Sequence, residues 1–294
     1  MTIQALEFYS GIGAFAQAAM RLNVSVAAAF DQSQWANETY QFNYGHRPIS
    51  RNLDSIGESA VPASDLWWMS PPCTPFSRRG KQKDDVDNRA RSFLRLIDLM
   101  KSKRPHFILI ENVEGFIGSN VHKHLIERLN QYGYQFTEVR LCSSSFGVPM
   151  LRPRVFIVAS LDGLNLDFAP PKSLAPSELD HYLFASGSDL HCDPEMLSRY
   201  EAVLNIVDPK LPGSYLICFT SGYHRCRQAS GSLITTGSGQ TRFVAPAEIL
   251  GLLGFDQKFS IPDTIPLEVA YKLVGNSVDV RAINYLLTEV LQIK

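Results

Sequence analysis

The chain has 294 residues, with 28 basic and 29 acidic side chains and a formal net charge of −1. Its hydrophobic fraction of 45% and charged fraction of 19% are ordinary for a folded protein and exclude collagen-like, disordered and low-complexity classes. No apolar run approaches the roughly 18 residues of a membrane helix, and the start lacks the pattern of a secretory signal, so we expect no membrane association. The five cysteines are an odd number without a CxxC pair, which favours a reducing, cytoplasmic location.

Charge is distributed unevenly along the sequence. Residues 70–104 hold ten basic and four acidic side chains, and residues 209–247 hold four basic and none acidic. Residues 162–208, in contrast, hold nine acidic and two basic side chains. Two basic surfaces on a nearly neutral protein could line a groove for a polyanion. Ordinary solvated faces are the alternative interpretation.

Short apolar runs alternate with amphipathic segments in the first half of the chain. The apolar runs predict strands at residues 5–8, 25–30, 65–69, 107–110 and 155–159. The amphipathic segments predict helices near residues 14–22, 33–42, 92–100 and 121–130. This alternation predicts an α/β fold, a doubly wound Rossmann-like parallel sheet with helices on both faces. Ligands of such sheets lie beyond the carboxyl ends of the strands.

The composition changes after the last predicted strand. Residues 169–246 are rich in Pro, Gly and Ser, and a helical pattern returns later, ending near residues 282–291. We therefore predict a first domain formed by residues 1–168 and 265–294. A smaller, irregular second domain is predicted for residues 169–264.

A glycine-containing turn follows the first predicted strand. Gly11, Gly13 and Ala16 have the spacing of the loose dinucleotide fingerprint. Asp31 ends the second strand, where an acid can accept hydrogen bonds from ribose hydroxyls. These residues favour a nucleotide-type cofactor, but a structural turn for the glycines and a helix N-cap role for Asp31 remain open. Asp54 follows a third short segment and could equally be a turn residue.

Three prolines surround Cys73 at the end of the third predicted strand. The sequence from Ser70 to Ser77, SPPCTPFS, excludes a helix and holds the thiol on a stiff loop. Because no second Cys or His is near in sequence, a nucleophile is favoured over a metal ligand. Positive potential lowers the pKa of a thiol and attracts phosphates. The basic residues that follow are Arg78, Arg79, Lys81 and Lys83.

Charged residues also lie next to the last two predicted strands. Glu111 follows four apolar residues, where a carboxyl group can be desolvated and can protonate a ring nitrogen. Pairing with a surface Lys is the alternative. Arg152 and Arg154 flank a proline before the next strand, a geometry that suits oxygen anions or a carbonyl. An edge-strand solubility role is the alternative for them.

The chain resembles the cytosine-C5 methyltransferases over nearly its whole length. The matching motifs, in chain order, are Tyr9-Ser-Gly-Ile-Gly13, Asp31, Asp54, Ser70-Pro-Pro-Cys73, Glu111-Asn-Val113, Arg152-x-Arg154 and Gly275-Asn-Ser277. The Pro-Pro-Cys and Glu-Asn-Val motifs on successive strand ends are highly specific. Within the family, the chain is most similar to the aspartate-tRNA methyltransferases, which modify the anticodon loop. That similarity lies in Pro75-Phe76, Glu111-Asn-Val-Glu-Gly-Phe116, Cys218-Phe-Thr220, Gly222-Tyr223 and the short second domain.

Two departures from the family pattern are local. Thr74 stands where the family usually has Gln, and Ala14 stands where a third Gly is common. The first puts only the loop contacts around Cys73 in doubt, because the cysteine and the prolines remain.

The resemblance implies a mechanism and a cofactor. Cys73 would attack cytosine C6, Glu111 would support N3, and Arg154 or Arg152 would support O2. The methyl donor would be S-adenosylmethionine, with S-adenosylhomocysteine as product. The residues implied for cofactor binding are Tyr9, Ser10, Gly11, Ile12, Gly13, Asp31, Gln32, Asp54, Ser70, Pro72, Asn276 and Ser277.

The implied substrate is a tRNA, bound through its anticodon stem-loop. The residues expected to contact it are Arg78, Arg79, Lys81, Cys218, Phe219, Thr220 and Tyr223, although Phe219 and Tyr223 could instead be core residues. We expect no metal, because His191, Cys192, His224 and Cys226 lack the usual ligand spacing. No obligate protein partner is evident. The rival functions are a DNA cytosine-C5 methyltransferase, an NAD-type dehydrogenase and a catalytically silent RNA-binding protein.

Overall fold

The computed structural model describes residues 2–72, 88–163, 171, 177–225 and 230–292. The chain divides into two compact units. The first comprises Met1–Leu141, Pro153–Ala169 and Leu286–Lys294, and the second comprises Cys142–Arg152 and Pro170–Tyr285. Residues 142–152 and 265–285 belong to the second unit, whereas the predicted domains assign them to the first domain. The domain boundaries stay a prediction.

A six-stranded sheet forms the centre of the first unit. Its strands are β1 (Ile3–Phe8), β2 (Val24–Phe30), β3 (Leu66–Met69), β4 (Phe107–Asn112), β5 (Gln135–Leu141) and β7 (Arg154–Ser160), in the order β2-β1-β3-β4-β7-β5. Its helices are α1 (Ala14–Ala19), α2 (Gln34–Tyr44), α3 (Asn88–Lys103) and α4 (Asn120–Gln131). The predicted α/β class is confirmed, and each strand predicted from an apolar run is present. Strand β5 escaped prediction because it is only partly buried and lacks a continuous apolar run.

The direction of β7 corrects the prediction of a wholly parallel sheet. Strands β1, β2, β3 and β4 run parallel, whereas β7 pairs antiparallel with both β4 and β5. A parallel neighbour requires a crossover connection, usually a helix. The described chain between β5 and β7 contains no α-helix. Consequently β7 begins at the same edge of the sheet at which β4 ends.

The central strands are buried on both faces, as expected for a sheet covered by helices. Leu6, Phe8, Trp67, Ile108 and Ile110 have no exposed side-chain surface and belong to one hydrophobic cluster. Burying residues of this size contributes roughly 1.5–3 kcal/mol each. This core fixes the strand ends that carry the predicted site.

The second unit contains shorter elements. Its strands are β6 (Met150–Leu151), β8 (Ile206–Val207), β9 (Leu216–Ile217), β10 (Leu233–Thr235) and β11 (Thr241–Phe243). Strand β6 pairs with β9, and β11, β10 and β8 form a three-stranded sheet. Its helices are α5 (Pro194–Tyr200), α6 (Pro246–Leu252) and α7 (Leu267–Asn276), and α8 (Val280–Leu291) contains the boundary after Tyr285.

A buried ion pair and an aromatic cluster organise the second unit. Arg242 and Glu248 form two hydrogen bonds of 2.8 Å, and Glu248 also accepts from the backbone of Phe184. The ring of Tyr223 packs edge-on against Phe243, with centroids 5.4 Å apart. Such a satisfied polar network specifies one arrangement of the surrounding loops.

Helices long and apolar enough to cross a membrane are not found among the described residues.

A buried carboxyl group in β1 makes stability depend on pH. Burial raises the pKa of Glu7 from 4.5 to about 8, although a 2.9 Å hydrogen bond from the Tyr40 hydroxyl acts in the opposite direction. The folded chain therefore keeps the Glu7 proton in a pH range where the unfolded chain has lost it. The contribution of Glu7 to the free energy of unfolding falls as the pH rises between these two pKa values.

We predict that Glu7→Gln removes this dependence, because Gln resembles the protonated acid. The free energy of unfolding of Glu7→Gln relative to the wild type should increase from about pH 5 to about pH 8. Urea denaturation at several pH values measures it. The exposed Glu127 on α4 offers a control, since Glu127→Gln should show no such trend. A difference that stays flat, or that decreases with pH, would contradict the assignment.

Candidate active site

The turn after β1 is a loop of left-handed backbone held by an acid. Tyr9, Gly11 and Gly13 have positive φ values of 58°, 53° and 91°. Asp31, directly after β2, accepts hydrogen bonds from the backbone N–H groups of Gly11 and Ser33, both at 2.8 Å. Ser33 itself caps α2, so Asp31 is not the N-cap. The acid instead ties the glycine loop to the neighbouring strand, and burial raises its pKa.

The two glycines of the loop are required for different reasons. At Gly11, no described atom lies within 4 Å of the position that a Cβ would occupy, so the loop leaves open space there. At Gly13, a Cβ would overlap the Tyr44 ring and lie 3.0 Å from Tyr40. The Tyr44 hydroxyl also donates a 2.7 Å hydrogen bond to the Gly13 carbonyl. Gly11 thus opens the loop, and Gly13 permits its support by α2.

The other residues predicted to bind the cofactor differ in exposure. Ser10 is buried, and its hydroxyl has no hydrogen-bond partner among the described residues. Ile12 is buried in the core, whereas Gln32 and Asp54 are exposed. The Tyr9 hydroxyl donates a 3.0 Å hydrogen bond to Ser92 on α3, and burial raises the pKa of Tyr9.

The start of the proline-rich loop is anchored from two sides. The Ser70 hydroxyl donates to the Tyr9 carbonyl at 3.0 Å, and the Asn112 amide donates to the Pro71 carbonyl at 3.3 Å. Pro72, which follows, is exposed. The predicted nucleophile and the predicted basic contacts lie outside the described residues; they are Cys73, Arg78, Arg79 and Lys81. The anchored segment ends one residue before Cys73.

Glu111 and Arg154 form an ion pair at the carboxyl edge of the sheet. Their Oε1 and Nε atoms are 3.0 Å apart, and both side chains are largely buried. The antiparallel register pairs Glu111 with Phe156 and Asn112 with Val155, which places the start of β7 beside the end of β4. Among the described residues, the ion-pair partner of Glu111 is therefore an arginine of the adjacent strand.

Arg152 belongs to the second unit and has different neighbours. Its guanidinium group donates to the Cys218 sulfur at 3.1 Å and to the Phe219 carbonyl at 2.9 Å. It also donates to the carbonyl groups of Gly275 and Ser277. The two arginines predicted as alternative supports of O2, Arg152 and Arg154, thus lie in different compact units.

The residues predicted to contact RNA in the second unit are mostly not at the surface. Phe219 and Tyr223 are 1% and 3% exposed, and their rings pack on each other with centroids 4.8 Å apart. Neither ring is available for stacking on a base in this structure, which corrects that expectation in favour of the core alternative. Cys218 and Thr220 are half-buried. Asn276 is exposed and Ser277 is buried.

Sequence reasoning missed two supports of the site. Asn112 was part of a motif, but its bond to Pro71 could not be read from the sequence. Tyr44 follows Gly13 by 31 residues, and no local pattern links the two. Clusters of three or more His, Cys, Asp or Glu side chains able to hold a metal ion are not found in the part of the chain that the structure describes.

Comparison with known proteins identifies the family of this chain. The family model for C-5 cytosine-specific DNA methylases matches residues 3–206, which is more than half of the chain. This chain belongs to the C-5 cytosine-specific DNA methylase family, whose methyl donor is S-adenosylmethionine.

Individual relatives match over almost the full length. The human tRNA (cytosine(38)-C(5))-methyltransferase is 28% identical, with 97% of this chain and 98% of the human protein covered. A DNA (cytosine-5)-methyltransferase of Dictyostelium discoideum is 27% identical over 97% of this chain and 93% of that protein. Among solved structures, the Dnmt2 methyltransferase of S. pombe has a TM-score of 0.87 at 26% identity, covering 99% of this chain and 98% of that one.

The glycine loop fits S-adenosylmethionine. The open space at Gly11 provides room for a ligand beside the loop, and the buried Ser10 hydroxyl, which has no hydrogen-bond partner in the described part of the chain, provides a polar contact. The Asp31 carboxylate lies at the end of the neighbouring strand, where a ribose is bound in folds of this kind. These residues would hold the cofactor in this unit.

We predict that alanine at the two glycines separates stability from ligand binding. Gly13→Ala should lower the free energy of unfolding by about 2–4 kcal/mol, because it combines a positive φ with overlap on Tyr44. Gly11→Ala should cost only about 1–2 kcal/mol but weaken binding of S-adenosylmethionine about tenfold or more, because it fills the open space. Thermal denaturation and titration calorimetry measure the two effects. Unchanged cofactor binding by Gly11→Ala would show that the ligand lies elsewhere.

Proposed function

We propose that this chain transfers a methyl group from S-adenosylmethionine to C5 of a cytosine in the anticodon loop of a tRNA, through a covalent bond between Cys73 and C6. The observation that supports a tRNA substrate is the set of relatives named tRNA (cytosine(38)-C(5))-methyltransferases. They come from human, Spodoptera frugiperda and Schizosaccharomyces pombe, and each match covers at least 97% of this chain.

The bonds of the proposed reaction balance without a further co-reactant. The Cys73 thiolate adds to C6, and the electrons of the C5–C6 double bond shift towards N3 and O2. Carbon C5 then forms a bond to the methyl group, whose bond to sulfur would break to leave S-adenosylhomocysteine, and the C5 proton leaves to a base. Loss of that proton restores the double bond and expels the thiolate. The cofactor supplies an electrophilic methyl group bound to a sulfonium.

The Glu111–Arg154 pair is suited to the charge that develops on the pyrimidine. N3 and O2 are neighbours on one edge of the ring, and the carboxyl and guanidinium groups are neighbours at 3.0 Å. In this proposal Glu111 holds a proton at N3 and Arg154 donates to O2. Both groups are already oriented and largely desolvated, so they stabilise the charged intermediate without reorganisation.

Asn112 supports the start of the segment that leads to the nucleophile. Its amide fixes the Pro71 carbonyl, and Pro72 restricts the backbone before Cys73. Because Glu111 and Asn112 are consecutive in β4, one strand end carries the acid and anchors the start of this segment.

An anticodon loop is a favourable place for this chemistry. The target base must leave its stack, which costs a few kcal/mol in a duplex and least in a single-stranded loop. We also propose that the protein acts in the cytoplasm, for which the cysteine content is the support. DNA is the second candidate substrate, favoured by the family description and by the Dictyostelium relative.

A substrate comparison tests the choice between RNA and DNA. We predict that purified protein with labelled S-adenosylmethionine modifies total tRNA and leaves duplex DNA unlabelled. Bisulfite sequencing of the product should place the modified cytosine in an anticodon loop. If duplex DNA were strongly labelled and tRNA were not, DNA would replace tRNA as the favoured substrate.

A second prediction concerns the nucleophile. Cys73→Ala should abolish methyl transfer and should fail to form a covalent complex with tRNA containing 5-fluorocytosine, because that base traps the C6 adduct. Denaturing gel electrophoresis detects the complex. Cys192 in the second unit provides the control, and Cys192→Ala should retain both activities. Methyl transfer by Cys73→Ala would exclude this mechanism.

A further inference from the structure

Arg152 gathers two distant segments of the second unit. Strand β6 pairs with β9 in parallel, with Leu151 beside Ile217, so Arg152 follows directly next to Cys218. Its guanidinium group reaches the Cys218 sulfur at 3.1 Å and the Phe219 carbonyl at 2.9 Å. It also reaches the Gly275 carbonyl at 3.3 Å and the Ser277 carbonyl. The same side chain thus contacts residues 123 and 125 positions further along the chain.

The Nη1 and Nη2 atoms of the guanidinium group donate to these acceptors in a buried setting. Arg152 is 3% exposed. Such bonds satisfy carbonyl groups that would otherwise be buried without a donor. Withdrawing the guanidinium group to contact a substrate would leave these acceptors unsatisfied, which is costly in a buried site.

A second, independent contact joins the same two segments. Gly275 packs directly on the backbone of residues 220–221, where a Cβ would overlap the Thr220 carbonyl and lie 2.6 Å from the Ser221 nitrogen. Only glycine permits this approach. The segment 218–221 is therefore held on one side by the Arg152 guanidinium and on another by the backbone of Gly275.

We infer that Arg152 is a positioning residue that joins the segment 218–220 to the segment 275–277, and that it does not contact the reacting base. This inference rests on the proposed function, for which the family resemblance implies tRNA contacts by Cys218 and Thr220 and cofactor contacts by Asn276 and Ser277. Arg154, two residues away, keeps the catalytic role. The two arginines of the motif thus have different roles, Arg152 in the second compact unit and Arg154 in the first.

Steady-state kinetics distinguish the two arginines. Arg152→Lys retains the positive charge, but the ammonium group of lysine lacks the planar guanidinium donors that reach several carbonyl groups at once. It should raise the KM for both tRNA and S-adenosylmethionine about tenfold and leave kcat within about threefold of the wild type. Arg154→Lys should lower kcat with little change in either KM. The exposed Arg140 on β5 gives the matched control, since Arg140→Lys should change none of these parameters.

A second variant keeps the test open if Arg152→Lys does not fold. Cys218→Ala removes one acceptor of the guanidinium group and leaves the contact at Gly275 in place. It should raise the two KM values together, by less than Arg152→Lys does. A fall in kcat at unchanged KM for Arg152→Lys, as for Arg154→Lys, would overturn the inference. Unchanged KM values for Cys218→Ala would overturn it as well.

A measurement on the free protein, without any substrate, tests this inference independently of the proposed function. Hydrogen exchange measured by mass spectrometry on the free protein should show faster exchange in both residues 216–221 and residues 273–278 of Arg152→Lys. That result would stand even if the wild type modified DNA and not tRNA. Faster exchange in only one of the two segments would show that Arg152 does not join them.

Discussion

The ion pair between Glu111 and Arg154 depends on the direction of one strand. Glu111 lies near the carboxyl end of β4, where all ligands of such sheets are found. In a wholly parallel sheet, a residue at the start of the neighbouring strand would lie at the opposite edge. Because β7 runs antiparallel to β4, its first residue, Arg154, lies beside Glu111. The reversal brings an acid and a cation from separate motifs to one place.

Three carboxyl groups in or beside this sheet have different hydrogen-bond and ion-pair partners. Glu7 is buried in β1 and receives a hydrogen bond from Tyr40, which suits a neutral acid in the core. Asp31 accepts from backbone N–H groups and supports the glycine loop. Glu111 pairs with Arg154 of the adjacent strand. The three carboxyl groups thus have different partners, and only Glu111 is paired with a cation among the described residues.

The sequence predicted the elements better than their directions and long-range contacts. Apolar runs indicated the strands and thereby the carboxyl edge that carries Asp31 and Glu111. Periodicity carries no information on strand direction, which is why the reversal of β7 was missed. Spacing likewise could not separate Arg152 from Arg154, because their partners lie in remote parts of the chain. Phe219 was expected near RNA from its basic neighbourhood, but local charge does not reveal that the ring is buried.

A double-mutant cycle on Glu111 and Arg154 tests the account most directly. Single-turnover rates of methyl transfer would be measured for Glu111→Gln, Arg154→Lys and the combined variant. If the two groups act as one unit, the combined loss should be at least about tenfold smaller than the product of the single losses. Glu111→Gln combined with Arg152→Lys should instead give nearly multiplicative losses. Multiplicative losses for Glu111 with Arg154 would contradict the account, because they would mean that the pair seen in the structure does not act together on the base.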